Sequence, residues 1–240
     1  MAAQRVVLKD KKIAAAETLS VYFEKPQGFR YKAGQSIDLT LLHPPETDEE
    51  GNTRAFTLAS APFEHELMIT TRLRNSAFKR TLKTMPLGSE VNIDGPFGNM
   101  TLHSDEKRPA VFLAGGIGIT PFRSIILQAL HEKKPHRFFL FFSNRQPRDA
   151  AFFDELKTTA AAHNNFVLIA ATTGNDVQKS DAGGERERIG VAMIHRHVGD
   201  LSNAVYYCAG PAAMVAAMRA MLSDNGVNDD DIRSEEFSGY

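Results

Sequence analysis

Residues 110–130, AVFLAGGIGITPFRSIILQAL, carry an apolar run, a glycine turn and an amphipathic run with no break between them. Residues 110–114 have the length and composition of a strand buried on both faces. Gly115, Gly116 and Gly118 then turn the chain. The helix that follows is expected to take Thr120 as N-cap and Pro121 as its first residue, where the missing N–H costs nothing. Strand, glycine turn and helix in that order suit a dinucleotide. The glycines let backbone approach a pyrophosphate, and the helix start offers N–H groups and the positive end of a dipole. A glycine triplet serves equally as a tight turn with no ligand, so its surroundings must decide. Pro121 also replaces the third glycine of the usual pattern.

Downstream, apolar runs alternate with amphipathic stretches, which predicts a parallel sheet flanked by helices. Strands are expected at 110–114, 138–143, 166–172 and 204–209, and helices at 121–132, 149–163, 191–198 and 211–224. Residues 177–188 are polar and should form an exposed excursion. Upstream, short runs at 6–8, 19–23, 36–42, 56–59, 67–72 and 90–93 are separated by glycines, the spacing of an antiparallel barrel. One helix is expected at 76–85, and residues 43–53, with two prolines and a run of acids, read as a mobile surface loop. Charged residues 105–109 are the natural linker. The organisation expected is therefore two domains: an antiparallel β-barrel over 1–104 and a Rossmann-like α/β parallel-sheet domain over 105–240.

The charge balance, 28 Lys+Arg against 29 Asp+Glu, argues against a nucleic-acid partner. The single cysteine, Cys208, excludes an internal disulfide and any iron–sulfur cluster held by four thiolates of this chain. His195 and His197 lack companions at metal-ligand spacing, so no metal site is expected. Lysines interrupt any N-terminal apolar core, and the most apolar stretch, 204–222, contains Gly210, Pro211 and Arg219. The reading is a cytoplasmic, monomeric protein with no membrane span.

Three motifs bear on function: RAFTLAS at 54–60, GGIGITP at 115–121 and YYCAGPAAM at 206–214. Together with AGQSIDL (33–39), IDGPFGN (93–99) and the terminal EEFSGY, they resemble the ferredoxin-NADP reductase family over nearly the whole chain. The resemblance implies a barrel that holds a flavin and a parallel-sheet domain that holds NAD(P)H. FAD is the family norm, although the glycine usually found before Ser76 is missing and FMN stays open.

Carried over residue by residue, the resemblance sets Arg54 against the flavin phosphates, with Ala55 beside it. Phe56 packs on the isoalloxazine and Thr57 offers its hydroxyl to flavin N5; the family usually has Tyr and Ser there. TRLRNSAFKRTL resembles the second flavin segment, implicating Thr71, Arg72, Asn75, Ser76 and Ala77, with one of Arg72 and Arg74 meeting phosphate. Gly115, Gly116, Gly118, Thr120 and Pro121 would meet the dinucleotide pyrophosphate. Cys208, Gly210, Pro211 and Met214 would border the nicotinamide. Phe237 would shield the flavin, and Tyr240 would reach the adenine side. Thr57, Cys208 and Phe237 are thus the residues expected at the reacting atoms.

The strand end FFSNRQPRD places Ser143, Arg145 and Arg148 where a 2'-phosphate would lie, which favours NADPH over NADH, and Asp149 reads as the cap of the next helix. The expected activity is hydride transfer from NAD(P)H to bound FAD, then electron delivery to a separate protein: a ferredoxin, a flavodoxin or an oxygenase component. Lys79, Arg80 and Lys83 would suit an acidic partner, or simply a solvated helix face. A reductase of free flavin and a redox-sensing module without turnover are the other two readings.

Overall fold

The structure, a computed structural model, describes residues 3–174 and 188–237. In chain order it contains β1 (Gln4–Ala15), β2 (Thr18–Glu24), β3 (Ser36–Leu41), β4 (Thr53–Thr57), β5 (Glu66–Arg72), α1 (Ala77–Thr84) and β6 (Glu90–Phe97). These are followed by β7 (Ala110–Gly115), α2 (Ile119–His131), β8 (Phe138–Asn144), α3 (Phe153–Ala162) and β9 (Phe166–Thr172). After the excursion, whose residues 177–187 lie outside the described residues, come α4 (Val191–Val198), β10 (Val205–Pro211), α5 (Ala212–Asp224) and β11 (Ile232–Phe237).

The first six strands form an antiparallel sheet in the order β4-β3-β6-β1-β2-β5. Its edges meet through a bridge between Leu58 and Ile69 and the Ala59 N–H donating to the Met68 carbonyl, so the sheet curls like a barrel without closing. Alternation along the strands sends Val21, Phe23, Ile37, Leu39, Leu67, Ile69, Val91 and Ile93 inward, where Phe78 and Leu82 of α1 complete the core. Ser76 caps α1 by accepting from the Lys79 N–H, as a serine before a helical run should.

The second sheet is parallel, in the order β11-β10-β7-β8-β9. All six residues of β7 are buried, because helices cover both faces of the sheet. One face packs against α2 and α3 around Phe112, Phe122, Phe138 and Tyr207. The other packs against α4 and α5 around Leu113, Phe141, Met193, Ile194 and Val215.

Four local expectations are corrected. The dinucleotide helix starts two residues early, at Ile119, with Gly118 as N-cap after a 3-10 turn at Gly116–Gly118; the Thr120 hydroxyl donates inside the turn to the Ile117 carbonyl. Pro121 remains in the first turn, where its ring is tolerated. Asp149 does not cap α3. It closes a capping box with Gln146 around Pro147–Asp149, and the chain reaches α3 through Phe152 in the left-handed region (φ 62). Residues 43–53 do not run free, because the cations of β4 and α1 bind their carboxylates: Arg54 to Asp48 and Glu50, Arg80 to Glu46. The C-terminal segment, where no strand was expected, is strand β11 paired in register with β10 up to Phe237 opposite Pro211.

Candidate functional site

A cavity of about 370 Å3 lies between the two sheets. Arg54, Ala55, Phe56 and Thr57 come from β4, Thr71 and Arg72 from β5, Ser76 and Lys79 from the start of α1, Ile117 and Thr120 from the glycine turn, and Glu235 and Phe237 from β11. Stretches around residues 54–57, 71–79, 117–120 and 235–237 therefore meet at one place, which β11 helps to wall in.

The anion-seeking part of this site is built from Arg54 and the start of α1. Arg54 Nη2 donates to Asp48 Oδ1 at 2.9 Å, while the Ala77 N–H donates to Asp48 Oδ2 at 3.1 Å. One carboxylate thus bridges a guanidinium and a helix N-terminus, the combination that also suits a phosphate. Burial by itself would raise the Asp48 carboxyl, but the hydrogen bonds from Arg54 and Ala77 outweigh it and hold it below the usual aspartate range. A guanidinium and a helix N–H are the donor types that a flavin pyrophosphate would need. Burial also holds the Lys79 ammonium below its ordinary value, with repulsion from Arg74 and Arg54 added. An arriving anion would relieve that repulsion.

Next to this cradle, half-buried Phe56 packs at 5.8 Å between centroids on Phe78, and the Arg54 guanidinium lies 5.3 Å from the same Phe78 ring. Phe56 is thereby backed by the barrel core and can present a fixed aromatic face to the cavity. Thr57 is 4% exposed, and its hydroxyl donates to Glu235 Oε1 at 3.2 Å. Burial pushes the Glu235 carboxyl above its ordinary value, and the Thr57 hydrogen bond only partly offsets this. Glu235, Thr57 and Phe56 line the same cavity. Asn75 is exposed and accepts from Arg80, and Arg72 lies 4.0 Å from Asp149.

The glycines of the turn are also required by packing. A Cβ on Gly118 would sit 2.2 Å from the Ala209 carbonyl oxygen, one on Gly115 would sit 2.3 Å from Met214 Sδ, and Gly210 (φ 153) packs on Gly115 itself. The two turns therefore interlock, with Pro211 and Met214 closing over Gly115. Close backbone approach is required, but it is first an approach of chain to chain.

Cys208 does not join the cavity. It is fully buried on the α4/α5 face with Leu113 and Tyr206, and burial pushes its thiol up to about 12. The reason is strand alternation: in YYCAGP the residue next to Gly210 is Ala209, which faces α2, so Cys208 points the other way. Ser143 is half-buried, and Arg145 and Arg148 are exposed beyond the end of β8. Tyr240 lies outside the described residues. Among the described residues no cluster could hold a metal ion, and no helix is long and apolar enough to cross a membrane.

Sequence reading passed over Asp48, Ile117 and Glu235. Glu235 carried a signal, an acid beside an aromatic in EEFSGY, but its partner is 178 positions away. Asp48 was hidden by an acid-rich loop that looked featureless.

The family model for an oxidoreductase NAD-binding domain matches residues 112–220. Over 216 residues the chain is 26% identical to the reductase component of propane 2-monooxygenase from Rhodococcus jostii, covering 89% of this chain and 57% of that protein. It is 26% identical to reductase component 2 of terephthalate 1,2-dioxygenase from Comamonas sp., covering 94% of this chain and 66% of the relative. The chain thus spans roughly three fifths of the length of these curated relatives. A crystal structure of a ferredoxin NADP+ reductase from Neisseria gonorrhoeae with bound FAD and NADP superposes with a TM-score of 0.80 at 20% identity, covering 98% of both chains. That likeness is one of fold.

Proposed function

We propose that this chain is a reductase of the ferredoxin-NADP reductase type, which passes the hydride of NADPH to a bound FAD and delivers the electrons to a separate acceptor protein; the match to an oxidoreductase NAD-binding domain over residues 112–220 and the similarity to oxygenase reductase components support this reading. The observation that carries this reading is the cavity shared by Arg54, Phe56, Thr57, the glycine turn and Glu235. Residues 1–104 would hold the flavin and residues 105–240 the dinucleotide. When bound, the flavin supplies the two-electron acceptor for the hydride and its release in single electrons.

The chain's own groups supply position and charge. Arg54, Ser76 and the Ala77 N–H meet the flavin pyrophosphate in place of Asp48. Phe56 sets the plane of the ring and Phe237 covers it from β11. Glu235, hydrogen-bonded by Thr57, lines the same cavity from β11. Ile117 and Thr120 bring the start of α2 against the same cavity, so the nicotinamide would enter between the turn and β11. Gly115, Gly118, Gly210, Pro211 and Met214 position that entry by interlocking. Ser143, Arg145 and Arg148 favour a 2'-phosphate, hence NADPH. The acceptor is proposed to be an oxygenase component or a ferredoxin-like carrier, because the relatives of similar sequence are reductase components of oxygenases.

Release and identification of the bound chromophore, followed by anaerobic titration with NADPH and NADH, tests this reading. FAD that bleaches faster with NADPH is expected. A colourless protein that gains no colour from added FAD would refute it.

A further inference from the structure

The two stretches that supply opposite sides of the cavity are also bonded to each other just beyond it. Residues 54–57 of β4 run on to Ala59 and Ser60, while Ile117 and Thr120 run on to Arg123 and Ser124 of α2. Arg123 and Ser124 share a helix face with Thr120, so the side of α2 that meets the cavity also meets the antiparallel sheet. Arg123 Nη1 donates to the Ala59 carbonyl at 2.7 Å, and the Ser124 hydroxyl donates to the Ser60 carbonyl at 2.6 Å. The Gly34 N–H donates back to the Ser124 hydroxyl at 3.4 Å.

Every N–H of the Arg123 guanidinium is taken. Nη1 and Nη2 meet the two Glu64 oxygens at 2.9 and 3.1 Å, and Nε and Nη2 meet those of Glu155 at 2.7 and 2.6 Å. With the bond to Ala59 this uses the full donor set of an arginine. The far side is held as firmly, since Glu64 accepts from the Ala61 N–H at 2.5 Å and the Ser60 carbonyl accepts from the Tyr31 hydroxyl at 3.0 Å. Arg123 and Ser124 are both buried.

A buried ion pair is a poor source of stability, because apolar side chains of similar volume hold two surfaces together as well. Directed hydrogen bonds add a fixed spacing, which a planar guanidinium fork keeps or loses as a unit. Hydride transfer depends on spacing: the reacting atoms must lie about 3–3.5 Å apart, and a displacement of about 1 Å can cost roughly a hundredfold in rate.

We propose that Arg123 and Ser124 bolt α2 to residues 59–64 and thereby set the spacing between Phe56 and Thr57 on one side of the cavity and the glycine turn on the other. Arg123 is a positioning residue, acting through α2 and β4 without touching the reacting atoms. The inference rests on the reductase reading, in which a hydride crosses this cavity.

Two neutral variants separate positioning from mere support. Glu64→Gln removes the ion pair that joins the two sheets, whereas Glu155→Gln removes the matching pair on α3, on the same side as Arg123. Both leave the guanidinium facing one carboxylate, so a purely structural role would make them alike. Stopped-flow reduction of the flavin-loaded full chain by saturating NADPH should slow by about tenfold in Arg123→Lys, which keeps the charge and loses the fork. It should slow in Ser124→Ala and Glu64→Gln as well, and hold the parental rate in Glu155→Gln. Ser124→Ala serves alone if Arg123→Lys does not fold. Spin labels on Lys9→Cys and Ala217→Cys, at exposed positions of β1 and α5, read the spacing without chemistry, as Cys208 is buried. Their distance distribution should broaden in Ser124→Ala and Arg123→Lys and stay narrow in Glu155→Gln. Unchanged distributions or unchanged rates in Ser124→Ala and Arg123→Lys, or equal slowing by Glu64→Gln and Glu155→Gln, would overturn the proposal. If NADPH does not reduce the parent's flavin while the distributions still broaden, the reductase reading falls and the bolt between the sheets stands.

Discussion

The Thr57 hydroxyl donates to Glu235 Oε1 at 3.2 Å, joining two residues 178 positions apart. Thr57 sits on β4, an edge of the antiparallel sheet, and Glu235 on β11, an edge of the parallel one. The contact draws the C-terminal strand against the cavity and leaves a carboxyl in a site that disfavours its charge.

Glu235→Gln should therefore stabilise the protein at neutral pH. A carboxyl whose folded-state value is raised adds stability that is complete below its unfolded value and is lost as pH rises through the folded one. Melting curves of both proteins from about pH 4 to about pH 8 should diverge upward in favour of the glutamine variant. A gap independent of pH would show that Glu235 is not the group responsible.

Asp48→Asn should strengthen flavin binding by about tenfold, because the carboxylate that Arg54 and Ala77 hold competes with the pyrophosphate. Quenching of flavin fluorescence on titration into the stripped protein measures it. Weaker binding would mean that Asp48 orients Arg54 for the cofactor.

Arg123, 5% exposed on α2, is held by Glu64 at 2.9 Å and Glu155 at 2.6 Å and also donates to the Ala59 carbonyl. Burial alone would lower its affinity for the proton, but the two carboxylates outweigh this and raise it. Arg123→Ala strands both acids in partly buried surroundings and should cost about 3–5 kcal/mol in urea unfolding.

Gly118→Ala should cost roughly 3 kcal/mol, since the new Cβ meets the rigid Ala209 carbonyl at 2.2 Å. Gly115→Ala should cost much less, because it meets the flexible end of Met214. Denaturant midpoints of the two variants give the order, and equal losses would contradict the interlocking of the turns.

Cys208→Ala should leave flavin reduction by NADPH unchanged and reduce stability by roughly 1–2 kcal/mol. Stopped-flow rates with urea unfolding decide this, and a large fall in rate would return Cys208 to the site. The folded protein should also resist thiol reagents, as the thiol is fully buried and pushed up to about 12.

Periodicity settled much of this protein in advance. The burial of residues 110–114 on both faces, the alternation of strands and helices after them, and the helix capped by Ser76 are local consequences of side-chain spacing, and the structure repeats them. Arg54, Phe56, Thr57 and Ser76, which the family resemblance singled out, line one cavity. What depended on packing was not legible. The orientation of Cys208 turned on a one-residue offset within YYCAGP, which in a strand reverses the face. The Asp48 bridge to Ala77 and the Glu235 carboxyl's contact with Thr57 arise only where separate segments meet. Charge, burial and hydrogen-bond satisfaction are properties of that meeting, so the tertiary structure alone decided which residues of a readable fold share a cavity.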